Sequence, residues 1–329
     1  MRIGVIGAGA IGGAIAALAA KAGHEVQVTA RGDHLAAIQE SGIHLTGDWG
    51  DFIAPVDANE KLTRVPELAI IATKALDARA AILPSGKILN GVPVIVVQNG
   101  LRGISSTKPL LPRSDILGGL ALWASSLVEP GHIAITTGGM TFIGGGPELP
   151  SRYVLNVLEP ILPTRLVSNF VGAQWTKLVV NQVNALPAIT GLSVQETIAN
   201  DLLRPILTRS IRENVLVAHK SHVRYETLQG LSNFRLRLFA RMPLRAAETL
   251  PRLMAKRMGA VPNPGSTQQS IRRGNRTEID YLNGAVVDAA AAVGVKVPVN
   301  EALVDLVHEV EESGTFLAPE QVAARVGRD

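Results

Sequence analysis

The sequence predicts an α/β domain built on a doubly wound parallel sheet, followed by an all-α C-terminal domain. Three observations predict it. Short apolar runs alternate with helical segments along the first hundred residues. A glycine-rich turn directly follows the first of those runs. Beyond about residue 169 the chain reads as almost entirely helical. Strands alternating with helices imply βαβ units and a parallel sheet.

Residues 2–6 read as a short buried strand, and residues 24–30 alternate like a second one. Between them, residues 10–22 are Ala-rich and apolar on all sides, which suits a helix packed on a sheet, and Gly23 ends it. Asp33 is a candidate N-cap for a helix running to about Ser41. Residues 67–73 and 92–97 are two more apolar runs, with a helix expected near 75–84. From 115 to 145 the chain is Gly-rich and β-prone. Residues 132–137 and 140–143 there look like an antiparallel extension turning at Gly138-Gly139. Residues 151–160 read as one more helix. In the helical half, breaks are expected at Pro187, Gly191, Pro243, Pro251 and residues 262–265.

The chain has 329 residues, 47% of them apolar and 18% charged, a balance that fits two well-packed domains. It contains no cysteine, which excludes disulfides, zinc–thiolate sites and cysteine nucleophiles. The net charge of +4 is modest, and fits a phosphate-bearing cofactor or anionic small substrate better than nucleic acid. Residues 4–20 carry no charge and mimic a secretory leader, but Gly4, Gly7, Gly9, Gly12 and Gly13 would weaken a helical apolar core. No run of about 18 apolar residues qualifies as a membrane span. The expectation is a cytoplasmic protein with neither nucleic acid nor membrane as partner. A homodimer is compatible with the sequence.

Gly7-Ala8-Gly9-Ala10-Ile11-Gly12 is a G-x-G-x-x-G between a strand and a helix. In that context it is a Rossmann-like dinucleotide fingerprint. Gly7 permits the tight turn, Gly9 lets the backbone approach a pyrophosphate, and Gly12 lets helix and strand pack closely. The helix N-terminus then meets the phosphates. The second strand ends Thr29-Ala30-Arg31. NAD-binding chains usually place Asp or Glu there, whereas an arginine fork suits the 2′-phosphate of NADP. Lys74 and Asn99 end the next two apolar runs, where the carboxyl ends of parallel strands line the ligand crevice. A solvated lysine and an Asn-Gly turn are their plain alternatives. Residues 1–165 are therefore expected to bind NADPH, and residues 166–329 to form the helical substrate domain.

In the helical half, Lys177, Asn181 and Asn184 fall at i, i+4 and i+7, on one face of an otherwise apolar helix. Polar groups there need partners, which a bound polar ligand or solvent would supply. Ser266 and Gln269 fit a capping box, and such a helix start also suits a substrate carboxylate. Glu278 lies on a stripe with Leu282 and Ala285, where it reads equally as a first-turn glutamate. No metal-binding cluster is expected.

Taken in order, these pieces resemble the ketopantoate reductases. The likeness rests on the glycine loop, Arg31, Thr73-Lys74, Gln98-Asn99-Gly100, Leu127-Val128-Glu129-Pro130-Gly131, Trp175-Thr176-Lys177-Leu178 with Asn181, and Arg276-Thr277-Glu278-Ile279-Asp280 with Leu282-Asn283-Gly284. It implies a two-domain enzyme with its active site in the cleft between the domains, reducing ketopantoate to pantoate with NADPH. It implies that Lys177 donates the proton and Glu278 orients substrate and cofactor. Asn181, Asn263 and Ser266 would contact substrate. Asn99 would sit beside the nicotinamide, and Arg31 and Lys74 near the adenosine phosphate. The family commonly has an asparagine eight residues after its lysine, where this chain has Ala185, with Asn184 one position earlier. It also often carries an aspartate after its serine segment, which Ser266-Thr267-Gln268-Gln269-Ser270 lacks. Two other readings stay open: a relative reducing a different 2-oxo acid or ketone, and a non-catalytic NADP-binding regulator.

Overall fold

The computed structural model describes residues 1–259 and 261–327. It divides into two compact units, Met1–Phe170 and Val171–Asp329.

The first unit carries twelve strands: β1 (Arg2–Ile6), β2 (Glu25–Thr29), β3 (Ile43–Gly47), β4 (Phe52–Ala54), β5 (Asp57–Asn59), β6 (Leu68–Ile71), β7 (Val94–Val97), β8 (Ile116–Ala121), β9 (Ala124–Glu129), β10 (His132–Thr137), β11 (Thr141–Gly144) and β12 (Thr164–Leu166). Eight form one sheet in the order β12-β11-β8-β7-β6-β1-β2-β5. Six consecutive members, β5 to β8 across that order, are parallel. This is the doubly wound order, and its switch point falls between β1 and β6. The apolar runs read as strands because both sheet faces are covered. Ile3, Val5, Leu68, Ile70, Ile95 and Val97 pack in the core on one face. Ile6, Ala69, Ile71, Val94 and Val96 pack on the other.

The helix Ala10–Lys21 is apolar all round because it is covered twice. It packs on β1 and β2 and also under a second sheet, β4-β3-β10-β9. Gly13 marks that cover, since a Cβ there would lie 2.2 Å from Ile133 Cδ1.

The second sheet corrects the expected antiparallel extension. β10 and β11 do not pair with each other. β10 runs parallel to β3 and antiparallel to β9, while β11 joins the large sheet antiparallel to β8. The partner of His132 is His44, 88 positions earlier, a pairing that local pattern does not encode. Asp33 is not a cap either. The helix Gly32–Ser41 has Arg31 at its N-cap position and Asp33 inside its first turn.

The second unit is helical. Leu203–Lys220 is its central element, and among the described residues the other helices that pack against it include Val194–Ala199, Asn233–Arg241, Asn283–Ala292 and Pro298–Ser313. Leu203, Ile206, Leu207, Ile211 and Val215 bury the inward stripe. Pro251 is no break: it sits in the first turn of Thr249–Arg257, where a missing N–H costs nothing. Among the described residues, no helix is long and apolar enough to cross a membrane.

Candidate active site

In the first unit the glycine loop is held by β2. Gly7 N–H donates to Thr29 Oγ1 at 2.9 Å, and Ala8 N–H to Thr29 O at 2.8 Å. Gly7 adopts φ +97°, a backbone that L side chains rarely take. A Cβ on Gly12 would lie 2.0 Å from Gly7 O, so helix and loop are in direct backbone contact there. Gly9 differs, since nothing lies within 4 Å of where its Cβ would be. The space beside it suits a pyrophosphate, with Gly9 at the N-cap of Ala10–Lys21 and Ala10, Ile11 and Gly12 in the first turn.

His34 supports this loop from below, a role the sequence did not signal. Its Nε2 lies 2.7 Å from Ala8 O and its Nδ1 accepts from Gly131 N–H at 3.0 Å. The carbonyl can only accept and the amide can only donate. His34 is therefore the neutral tautomer with its proton on Nε2.

Gly7, Ala8, Gly9, Arg31 and His34 line one open crevice of about 380 Å³, together with Thr29, Thr73, Glu60 and Lys61. Lys74 and Asn99 are not among the lining residues. Lys74 precedes the short 3₁₀ turn Ala75–Asp77 after β6. Asn99 follows β7 in a turn whose Gly100 has φ +83°. Neighbouring Gln98 links the two strand ends, donating from Nε2 to Thr73 O at 3.0 Å.

In the second unit, Lys177 sits in the helix Phe170–Asn181 and is half-buried. Thr176 fixes that helix, its hydroxyl lying 2.9 Å from Gly172 O and 2.7 Å from Glu226 O. Desolvation lowers the Lys177 pKa to about 8, while the Glu278 carboxylate pulls it back up. Lysine and glutamate therefore interact electrostatically within this unit.

Glu278 is not in the first turn of an α-helix. It precedes the 3₁₀ turn Ile279–Tyr281, and the α-helix starts only at Asn283. The segment is clamped by helix Pro298–Ser313. Glu311 accepts Thr277 N–H at 2.6 Å, and His308 bridges Asp280 and Glu311 at 2.9 Å each. Burial disfavours charge on His308, but these two carboxylates outweigh it and raise its pKa.

The face drawn through Lys177, Asn181 and Asn184 stops at Asn181. Residues Gln182–Asn184 form a 3₁₀ turn, followed by the helix Ala185–Thr190. Pro187 is the physical cause. It has no N–H for residue 183 and its ring crowds that carbonyl, so the helix breaks ahead of the proline and not at it. Asn184 is buried and faces Gly265, where a Cβ would lie 2.7 Å from its Oδ1.

The expected capping box at Ser266 is absent. The helix Gly265–Arg272 begins before it, with Pro264 at the N-cap, so Ser266 is an exposed first-turn residue. Asn263 turns the chain instead, its Oδ1 accepting Gly265 N–H at 2.8 Å.

Sequence reasoning missed a buried amide cluster behind these segments. Asn283 Nδ2 donates to Gln182 Oε1 at 2.9 Å and to Asn300 Oδ1 at 3.0 Å. Asn300 Nδ2 donates to Glu213 Oε2 at 2.6 Å. Ser210 joins through Gln182 Oε1. Asn283→Ala removes the amide that donates to both Gln182 and Asn300, leaving the single Ser210 hydroxyl between them, and is expected to cost about 1–3 kcal/mol. Thermal unfolding checks it, and an unchanged Tm refutes it.

The comparisons with known proteins bear on these two groups. The family description "Ketopantoate reductase PanE/ApbA" matches residues 3–148, and its C-terminal counterpart matches residues 169–311. The chain belongs to the ketopantoate reductase family. This is a family of pyridine-nucleotide-dependent oxidoreductases. A 2-dehydropantoate 2-reductase of Pyrococcus horikoshii is 28% identical over 324 residues, covering 95% of this chain and 99% of that one. A ketopantoate reductase crystal structure from Ralstonia eutropha superposes with TM-score 0.82 at 27% identity, covering 95% and 99% of the two chains. D-mandelate dehydrogenase with NADH and anilino(oxo)acetate superposes with TM-score 0.81 at 20% identity, covering 95% and 99%, a likeness of fold.

Proposed function

We propose that this ketopantoate reductase family member reduces 2-dehydropantoate to pantoate with NADPH, and that Lys177 is the proton donor. The single observation that carries the reading is a lysine on a largely buried helix, its pKa brought down to about 8 by desolvation and held up by the charge of Glu278, which belongs to a separately clamped segment. A group with a pKa near the working pH is what general acid catalysis needs.

The first unit would hold the dinucleotide through Gly7, Ala8, Gly9, Ala10, Ile11 and Gly12. Arg31 would meet the 2′-phosphate, with Lys74 and Asn99 contributing from the ends of β6 and β7. Bound NADPH supplies the hydride to the keto carbon. The remaining work falls to the chain. The Lys177 ammonium hydrogen-bonds the keto oxygen, stabilises the developing alkoxide and gives it a proton. Ketone, hydride and proton together make the hydroxy acid. Glu278 keeps the ammonium charged and oriented. Asn181, Asn184, Asn263 and Ser266 are assigned to the substrate's polar groups, with Asn263 offering its amide nitrogen because its oxygen is engaged by Gly265.

One observation favours a second substrate. Asn184 stands in a 3₁₀ turn, buried against Gly265, with Ala185 after it. That arrangement changes the substrate side and leaves the chemistry intact, so a different 2-oxo acid is the alternative. Initial rates with ketopantoate and a panel of 2-oxo acids, each with NADPH and NADH, test both. The reading expects the highest kcat/KM with ketopantoate and NADPH. A higher value with another oxo acid selects the alternative, and no turnover with any of them removes the enzymatic reading.

A further inference from the structure

Strands β2 and β5 run parallel and adjacent, with Thr29 opposite Asn59. Ala30 N–H donates to Asn59 O at 3.0 Å, so the pairing holds to the strand ends. Arg31 therefore leaves β2, and Glu60 and Lys61 leave β5, at the same carboxyl edge. All three line the crevice that contains Gly7, Ala8 and Gly9.

The charges at this edge differ in how they are satisfied. Arg64, three residues past Lys61, is neutralised by Glu25 and Asp57. Arg31 and Lys61 are exposed, and among the described residues neither side chain makes a hydrogen bond or an ion pair. Glu60 is the acidic side chain lining the crevice, so two unpaired cations face one carboxylate.

In a doubly wound sheet the ribose 2′ position is read off the end of the second strand. β5 is the next strand outward. A phosphate monoester near neutral pH carries about −1.5 to −2 charge. One arginine leaves much of that unmatched. A planar guanidinium supplies a fixed fork, and a flexible ammonium adds a point charge from a second direction.

We propose that Lys61 is a specificity residue: with Arg31 it reads the 2′-phosphate of the dinucleotide and sets the preference for NADPH over NADH. The proposal rests on the NADPH reading above, and the test separates the two. The probes are adenosine 2′,5′-bisphosphate and 5′-AMP, titrated calorimetrically into the full-length protein. The wild type is expected to bind the bisphosphate more tightly. Lys61→Gln is expected to weaken bisphosphate binding about tenfold, equivalent to about 1.4 kcal/mol, while AMP binding and Tm stay unchanged. Arg31→Gln should show the same selective loss. If the wild type does not discriminate the two probes, the NADPH reading fails and takes this proposal with it. If the wild type and Arg31→Gln behave as expected but Lys61→Gln binds both probes like wild type, only the role of Lys61 is refuted. Equal weakening of both probes by Lys61→Gln also refutes it, since that marks general attraction without 2′ recognition.

Discussion

Lys177→Met is expected to lower kcat by about 10²–10⁴-fold while NADPH still binds. Methionine keeps the length and apolar stem of the side chain and removes only the ammonium. Pre-steady-state NADPH oxidation measures the first quantity and fluorescence titration the second. Turnover within tenfold of wild type would remove Lys177 from the chemistry. The wild-type pH profile gives an independent check. A lysine acid with a pKa of about 8 loses its proton above that pH, so kcat should fall as pH rises through this region. Stability should move the other way. The folded pKa lies below the unfolded value of 10.5, so between about pH 8 and 10.5 the unfolded chain binds the extra proton. The contribution of this group to stability therefore rises with pH in that window. Activity lost while Tm holds or climbs identifies deprotonation and not unfolding. In Lys177→Met both pH effects should vanish.

Gly9→Ala and Gly12→Ala, two substitutions three residues apart in one loop, are expected to fail for different reasons. At Gly12 the new methyl would lie 2.0 Å from Gly7 O and 2.9 Å from Ala72 Cβ. The first neighbour is backbone, so the loop itself must shift. Gly12→Ala should destabilise the protein by about 1–3 kcal/mol and lose dinucleotide binding together with it. At Gly9 the methyl meets no protein atom within 4 Å. Gly9→Ala should leave Tm unchanged and, on the proposed dinucleotide reading, still weaken dinucleotide binding at least tenfold, about 1.4 kcal/mol, because the methyl would take the space proposed for the pyrophosphate. Parallel melting curves and NADPH titrations decide. Wild-type affinity in Gly9→Ala would mean that the pyrophosphate does not approach this turn.

The two parts of the candidate site differ in how much of them local pattern carries. The glycine loop is legible locally: strand, turn and the start of the helix follow within about a dozen residues, and Gly7 and Gly12 answer steric demands there while Gly9 leaves open space. Glu278 is the opposite case. Its surroundings read as a helix start, yet it precedes a 3₁₀ turn set by Glu311 and His308 from a helix thirty residues on. Asn263 and Ser266 show the same limit on a shorter scale. Both are good capping residues, and the competition went to the asparagine two residues before Gly265. His34 and Lys61 carried no signal, because the loop and strand they stand beside are distant in the chain.

Sequence alone determined the alternation of buried strands and helices, the glycine turn and the helical second half. Each of these follows from side-chain periodicity and backbone sterics within a few residues. Tertiary structure alone decided that β10 pairs with β3, that Asn283 binds Gln182 and Asn300, and which cations share the crevice edge. Those pairings join segments from 17 to more than 100 residues apart. A hydrogen bond or shared charge at such separation is selected by how the whole core packs, and it leaves no local periodicity to read.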